Sequence, residues 1–346
     1  MGRGGTEIRR ESRMSAIRRR GLLTAPLLLP GLVPRLGQAQ PAYPSRAIRM
    51  LVGYPPAGTT DIAARMGAAG LSRRLGQPVA VENRPGATGN IAAEMAARAE
   101  ADGYTLHCTN IATGCINYAL FAERMPVKPT DFVDLGLLTQ VPNLIFVHPS
   151  LPVTTVAQLI ALAKAKPGQL NYGSAGSGGS PHMTMELFKF RTGTNINHIP
   201  FRGAGPMLVE AVAGRLDVGC DNMPSVIGHV RDGRLRPIAV TSRRRAEVLP
   251  AVPTLEESGL AGFEATAWFG LQAPAKTPPA IVERLGAEID ALTKEPEYRA
   301  RLAELGGQPP GLTPDGGTTP AAFTAFIEAE IAKWTPLVKA SGATVD

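Results

Sequence analysis

IRMLVGYPPAGTTD, residues 48–61, is an apolar strand that runs into a turn of small residues and then into a helix. Pro55, Pro56 and Gly58 end the strand, and a helical pattern follows from Asp61 to Leu75 until Gly76-Gln77-Pro78 stops it. The motif then repeats: strand Val79–Val81, helix Asn90–Ala99, and strand Tyr104–Thr109 entered through Asp102-Gly103. A β-α-β-α-β order predicts an α/β fold with a parallel sheet covered by helices on both faces. After Leu135–His148, which reads as two strand-like runs split by Pro142, the alternation resumes. Helices are expected at Val156–Ala165, Met183–Arg191, Gly205–Ala213 and Pro224–Arg231. Strands are expected at Leu170–Gly173, Ile196–Pro200, Leu216–Cys220 and Leu235–Thr241. A longer β run, Phe263–Ala273, precedes three closing helices at Pro279–Thr293, Pro296–Leu305 and Ala321–Ala340.

The chain has 346 residues, 44% of them hydrophobic, enough to bury a core of roughly two domains. Its net charge of +7 is concentrated at one end: residues 1–39 hold eight arginines and two glutamates, leaving +1 for the rest. The basic balance therefore belongs to a leader and not to a nucleic-acid-binding face. Arg18-Arg19-Arg20, the apolar stretch Gly21–Val33 and Gly37-Gln38-Ala39 read as a secretory signal peptide over residues 1–39, with Met14 as a second candidate start. The arginines also loosely fit a twin-arginine signal. The mature chain is expected to be exported. No apolar run reaches the roughly 18–20 residues of a membrane span. Cys108 and Cys115 are either a disulfide pair or small buried apolar groups, with Cys220 left over.

The chemistry is expected at loops that follow a strand and open a helix. The first contains Ala57, Gly58, Thr59 and Thr60. The second contains Ser174, Ala175, Gly176, Ser177, Gly178 and Ser180, with His182 just inside the next helix. Small residues leave backbone N–H groups uncovered, and the helix N-terminus adds partial positive charge, which suits a carboxylate or phosphate. Gly176→Val is the substitution this reading expects to block binding. A third loop of the same kind holds Arg202, Gly203 and Ala204, where Arg202 either clamps a carboxylate or forms a surface ion pair. Asp221-Asn222 either read a hydroxyl, amine or water, or form a turn that caps the next helix. Tyr54 offers a hydroxyl or a ring, and Asp61 is expected to rigidify its own loop. Phosphate-loop, dinucleotide and nucleophile-elbow motifs are absent, and the five histidines show no metal-ligand spacing. No catalytic step, metal or cofactor is expected. The rival from another class is a secreted hydrolase using Ser177 or Ser180 with His182.

Taken in order, several segments resemble one family. They are Tyr43-Pro44-Ser45-Arg46, Pro55–Asp61, Leu75–Pro78, Val81–Gly86, Asp102–Leu106, Leu170–Gly176, Pro200–Pro206, Asp221-Asn222, Ala239–Ser242, Val252–Thr254 and Trp268–Leu271. Together they resemble the extracytoplasmic solute-binding proteins of tripartite tricarboxylate transporters, the Bug or TctC type. The resemblance covers about Tyr43 to Asp346. It implies a type II periplasmic-binding-protein fold, two α/β lobes with a ligand cleft between them. Lobe 1 is expected at 40–142 and 265–346, and lobe 2 at 143–264. The chain would cross near Pro142–Leu144 and Glu264–Phe269. The resemblance also implies a small organic carboxylate as ligand: a di- or tricarboxylate, an amino acid or an aromatic acid. It would be held by backbone N–H groups and bridging water, in a monomer that serves a two-component membrane permease or, alternatively, signals to a membrane receptor. The first loop departs from the family pattern, because Ala57 and Thr59 stand where glycines are usual. Gly53-Tyr54 stands where Pro-Phe is common, and Arg202 where lysine is frequent.

Overall fold

β1 (Ile48–Val52), β2 (Val79–Asn83) and β3 (Thr105–Asn110) pair in parallel, with α1 (Thr59–Leu75) and α2 (Asn90–Ala97) as their crossovers. The computed structural model describes residues 43–341 and 343; the signal-peptide reading and the start at Met14 lie outside them. A wide helical turn at Ala112–Ile116 runs into α3 (Asn117–Leu120), and the long strand β4 (Phe132–Val147) follows. The second set of alternating elements is α4 (Val156–Ala165), β5 (Asn171–Ser174), α5 (Ser180–Thr192), β6 (Asn197–Pro200), α6 (Ala204–Val212), β7 (Val218–Asn222), α7 (Met223–Arg231) and β8 (Arg236–Val240). β9 (Thr266–Pro274), α8 (Pro279–Lys294), α9 (Pro296–Glu304) and α10 (Pro320–Ser341) complete the chain.

The strands follow the path β2-β1-β3-β9-β4-β7-β5-β6, with β8 beside β4. Each outer half is parallel as the alternation requires, β1 with β2 and β3, and β5 with β6 and β7. The centre departs from this parallel pattern. β9 lies antiparallel between β3 and β4, and β4 is antiparallel to β7 and β8. These two strands connect the halves directly, so no helical crossover is needed there. The result is the two-lobe α/β binding-protein fold.

Pro142 does not split β4. It is the last residue paired with β9, opposite Thr266, and from Asn143 onward the partners are β7 and β8. Proline cannot donate to a ladder, and it sits where the strand changes partners. Asn143 begins the new pairing with its N–H on Thr241 Oγ1 at 2.9 Å.

Local signals end the helices where the sequence places the stops. Gly76 takes φ +67° and returns its N–H to Ser72 O, closing α1. The Thr155 side chain accepts from Gln158 N and opens α4. The C-terminal α10 is pinned by two buried indoles: Trp268 Nε1 on β9 and Trp334 Nε1 both donate to Glu330 Oε2, at 3.2 and 3.0 Å. Cys108, Cys115 and Cys220 are all buried and free, so the Cys108–Cys115 pair is not formed. Among the described residues no helix is long and apolar enough to cross a membrane.

Candidate functional site

Of the helices that begin at one cavity, three begin on a glycine. The N-caps of α1, α5 and α6 are Gly58, Gly179 and Gly203, none with a side-chain cap. Their first-turn N–H groups therefore lack the usual Ser, Thr, Asp or Asn acceptor. The cavity encloses about 530 Å³, part of it open to solvent. Of the residues expected from sequence, Tyr54, Gly58, Thr59, Thr60, Ala175, Ser180, Gly203, Ala204 and Asp221 line it. Pro55, Thr88, Asn110, Ile111, Ala112, Gly179, Pro181, Asn222 and Phe269 complete the wall.

The other expected residues stand behind or beside this wall. Ala57 is exposed and takes φ +69°, a region costly for a residue with a Cβ. It is held there because its N–H donates to Asp61 Oδ2 at 3.1 Å. Asp61 also accepts from Arg65 Nε and Asn83 Nδ2, so it rigidifies the first loop. Burial alone would raise the Asp61 pKa, but these donors together hold it below the ordinary carboxylate value. Ser174 is fully buried, and its hydroxyl shares a hydrogen bond of 2.7 Å with His198 Nε2. Gly176 and Gly178 take φ +137° and +80°, which bends the second loop around behind the cavity. Arg202 is exposed and off the cavity wall. Phe201, the residue before it, packs into the second-lobe core, so the guanidinium falls on the solvent side.

His182 is a structural acceptor. Its Nδ1 accepts the Gly178 N–H at 3.0 Å, and its ring stacks on His198 with centroids 4.1 Å apart. Burial, the main cause, pushes its pKa down to about 4, so the ring is neutral at pH 7. Neither Ser177 nor Ser180 pairs with it: His182 Nδ1 is taken by the Gly178 N–H, and Ser180 Oγ bonds Asn143 and Asn222. The Ser–His pairing of the hydrolase reading is therefore not formed. Among the described residues no group of His, Cys, Asp and Glu could hold a metal.

The walls meet across the cleft. Thr88 Oγ1 donates to Ser177 O at 2.8 Å, and a Cβ on Gly203 would lie 3.1 Å from Pro55. Thr88 is held at φ +52°, with its carbonyl accepting from Tyr54 Oη and Asn117 Nδ2. The Tyr54 hydroxyl is thus engaged by the protein, while its ring lines the cavity. Thr88, and the stretch from Asn110 through Ala112, are site residues that sequence reasoning missed. Residues 111–120 are buried nearly all round, so they carry no amphipathic period. Their signal is Asn110, whose Oδ1 accepts from Ala112 N and Thr113 N and starts the turn.

Asp221 is the one carboxylate in the wall and is 2% exposed. Burial, the largest cause, raises its pKa to about 6, against the partial relief of Ser225 Oγ and Asn222 N. A carboxyl with a raised folded pKa adds stability in full below its unfolded value near 3.8 and loses it as pH climbs through about 6. The stability difference between Asp221→Asn and wild type should therefore shift by about 2 kcal/mol in favour of the variant between pH 4 and pH 7. Urea midpoints across that range check it, and a pH-independent difference would refute it.

Comparison with known proteins decides the family. The profile of the tripartite tricarboxylate transporter family receptor, TctC, matches residues 63–343. The chain belongs to this family. The receptor is 37% identical to the protein BugT of Bordetella pertussis over 305 residues, 87% of this chain and 91% of that one. It superposes on the structure of R. palustris Rpa4515 with adipate at TM-score 0.83 and 37% identity, covering 87% of this receptor and 99% of that chain. MatC (Rpa3494) from Rhodopseudomonas palustris with bound malate gives TM-score 0.79 and 31% identity, over 86% and 100%.

Proposed function

We propose that this receptor captures a small organic carboxylate in the periplasm and hands it to a membrane permease without a catalytic step. The observation that carries the reading is the convergence of the glycine-capped N-termini of α1, α5 and α6 on one cavity. Each helix end supplies free N–H groups and about half a positive charge, which suits an anion in a wall with no cationic side chain. Relatives of 37% and 31% identity were solved with adipate and with malate, which supports a carboxylate of that size. The anchoring groups are the backbone at 58–60, 179–180 and 203–204, joined by Thr59 Oγ1, which is buried without a partner. The described residues within lobe 1 (40–142 and 265–346) move as one body against lobe 2 (143–264), with the hinge where β4 changes partners at Pro142–Asn143. The Thr88–Ser177 hydrogen bond then favours the closed shape that the permease would meet.

The test is a thermal melt of the full chain, refolded to strip co-purified ligand, with malate, adipate and their diamides. A bound acid at 100 times its Kd adds about 2.7 kcal/mol to the folded state. That raises Tm by roughly 4 °C or more for a chain of this size, with no rise from the amide. A folded protein whose Tm responds to none of the acids would overturn the reading.

A further inference from the structure

The cavity wall contains no Lys, Arg or His, and its ionisable side chains are Tyr54 and Asp221. The Tyr54 hydroxyl already donates to Thr88 O. Asp221 Oδ1 accepts from Asn222 N at 2.8 Å and Oδ2 from Ser225 Oγ at 2.7 Å. A carboxylate has about four acceptor directions, so each oxygen keeps one to offer. On the first-lobe side, Thr59 lines the same cavity, and its buried Oγ1 has no partner within the protein. A simple diacid with its second carboxylate near Asp221 would set two like charges together in a poorly solvated space. A ligand O–H or N–H there would instead satisfy a buried acceptor.

We propose that this cavity selects a carboxylate that also carries a hydrogen-bond donor, a hydroxyl or an ammonium, with Asp221 as the acceptor of that donor and Thr59 Oγ1 as its second partner. The inference rests on the carboxylate reading above and names the substrate class for the same site. The ordinary pKa logic agrees with it: at neutral pH Asp221 is mostly ionised, a state a donor stabilises and a second anion does not.

Matched acids test it by titration calorimetry on the stripped full chain: succinate, L-malate and L-aspartate, then glutarate, L-2-hydroxyglutarate and L-glutamate. Within at least one set the hydroxy or amino acid should bind about tenfold or more tighter than the plain diacid. A hydroxyl preference or an ammonium preference identifies the donor. Asp221→Asn should collapse that preference. Thr59→Val should reduce it, and Thr59→Ser should restore it. The inference is overturned if the plain diacids bind within about threefold of their partners, or if Asp221→Asn keeps the full preference; the carboxylate reading survives either result. If no member of either set binds, both readings fall.

Discussion

Gly179→Val should abolish carboxylate binding while leaving the receptor folded. Gly179 lines the cavity at the N-cap of α5 with φ −69° and ψ 162°, extended backbone that valine adopts readily. A Cβ there would meet Gly176 O and Pro181 Cδ at 3.6 Å, ordinary contact distance. The fold therefore has room for the first atom, while the valine methyls enter the space beside the first-turn N–H groups of α5. Binding should weaken by about 100-fold or more, roughly 3 kcal/mol, with stability changed by about 1 kcal/mol at most. Gly176→Val, the substitution the sequence first points to, is a poorer test. Gly176 is off the cavity wall at φ +137°, so a side chain there strains the backbone whatever the ligand does. Retained affinity in a folded Gly179→Val protein would place the ligand elsewhere.

Glu330→Ala should be the most damaging single change for stability. Its carboxylate accepts from two buried indoles, Trp268 on β9 and Trp334 on α10, while Lys333 lies 3.4 Å from the other oxygen. Removing it leaves two buried N–H donors unpaired and opens a void beside Trp268 and Trp334, both 1% exposed. The expected cost is about 3–5 kcal/mol, a fall in Tm of roughly 5–8 °C. Glu330→Gln keeps an acceptor oxygen within reach of both indoles and should cost about 1 kcal/mol. A loss below that for the alanine variant would show that the indoles find other acceptors.

The parallel halves of the fold were legible in the sequence because strand, glycine-rich turn and helix alternate with strong local stop signals such as Gly76. The centre was not. β4 and β9 are single strands that serve both halves, and Pro142, a breaker by local rules, is tolerated only because the pairing partner changes there. The site shows the same division. Gly58, Thr59, Thr60, Ser180, Gly203 and Ala204 are helix-opening residues, and their place follows from local chemistry. Thr88 and the Asn110–Ala112 stretch reach the cavity through tertiary packing, and the turn that Asn110 starts is their one local mark. His182 and Arg202 misled for the opposite reason. Both are chemically capable side chains, but burial makes one a neutral loop acceptor and the core packing of Phe201 leaves the other in solvent.

The central claim is that glycine-capped helix ends hold the carboxylate. A crystal structure of the receptor with a carboxylate that raises its Tm tests this most directly. The account predicts carboxylate oxygens at about 3 Å, or through one water, from first-turn N–H groups of at least two of the helices α1, α5 and α6. A carboxylate seated on the Arg202 guanidinium, or outside the cavity between Gly58, Gly179 and Gly203, would contradict it.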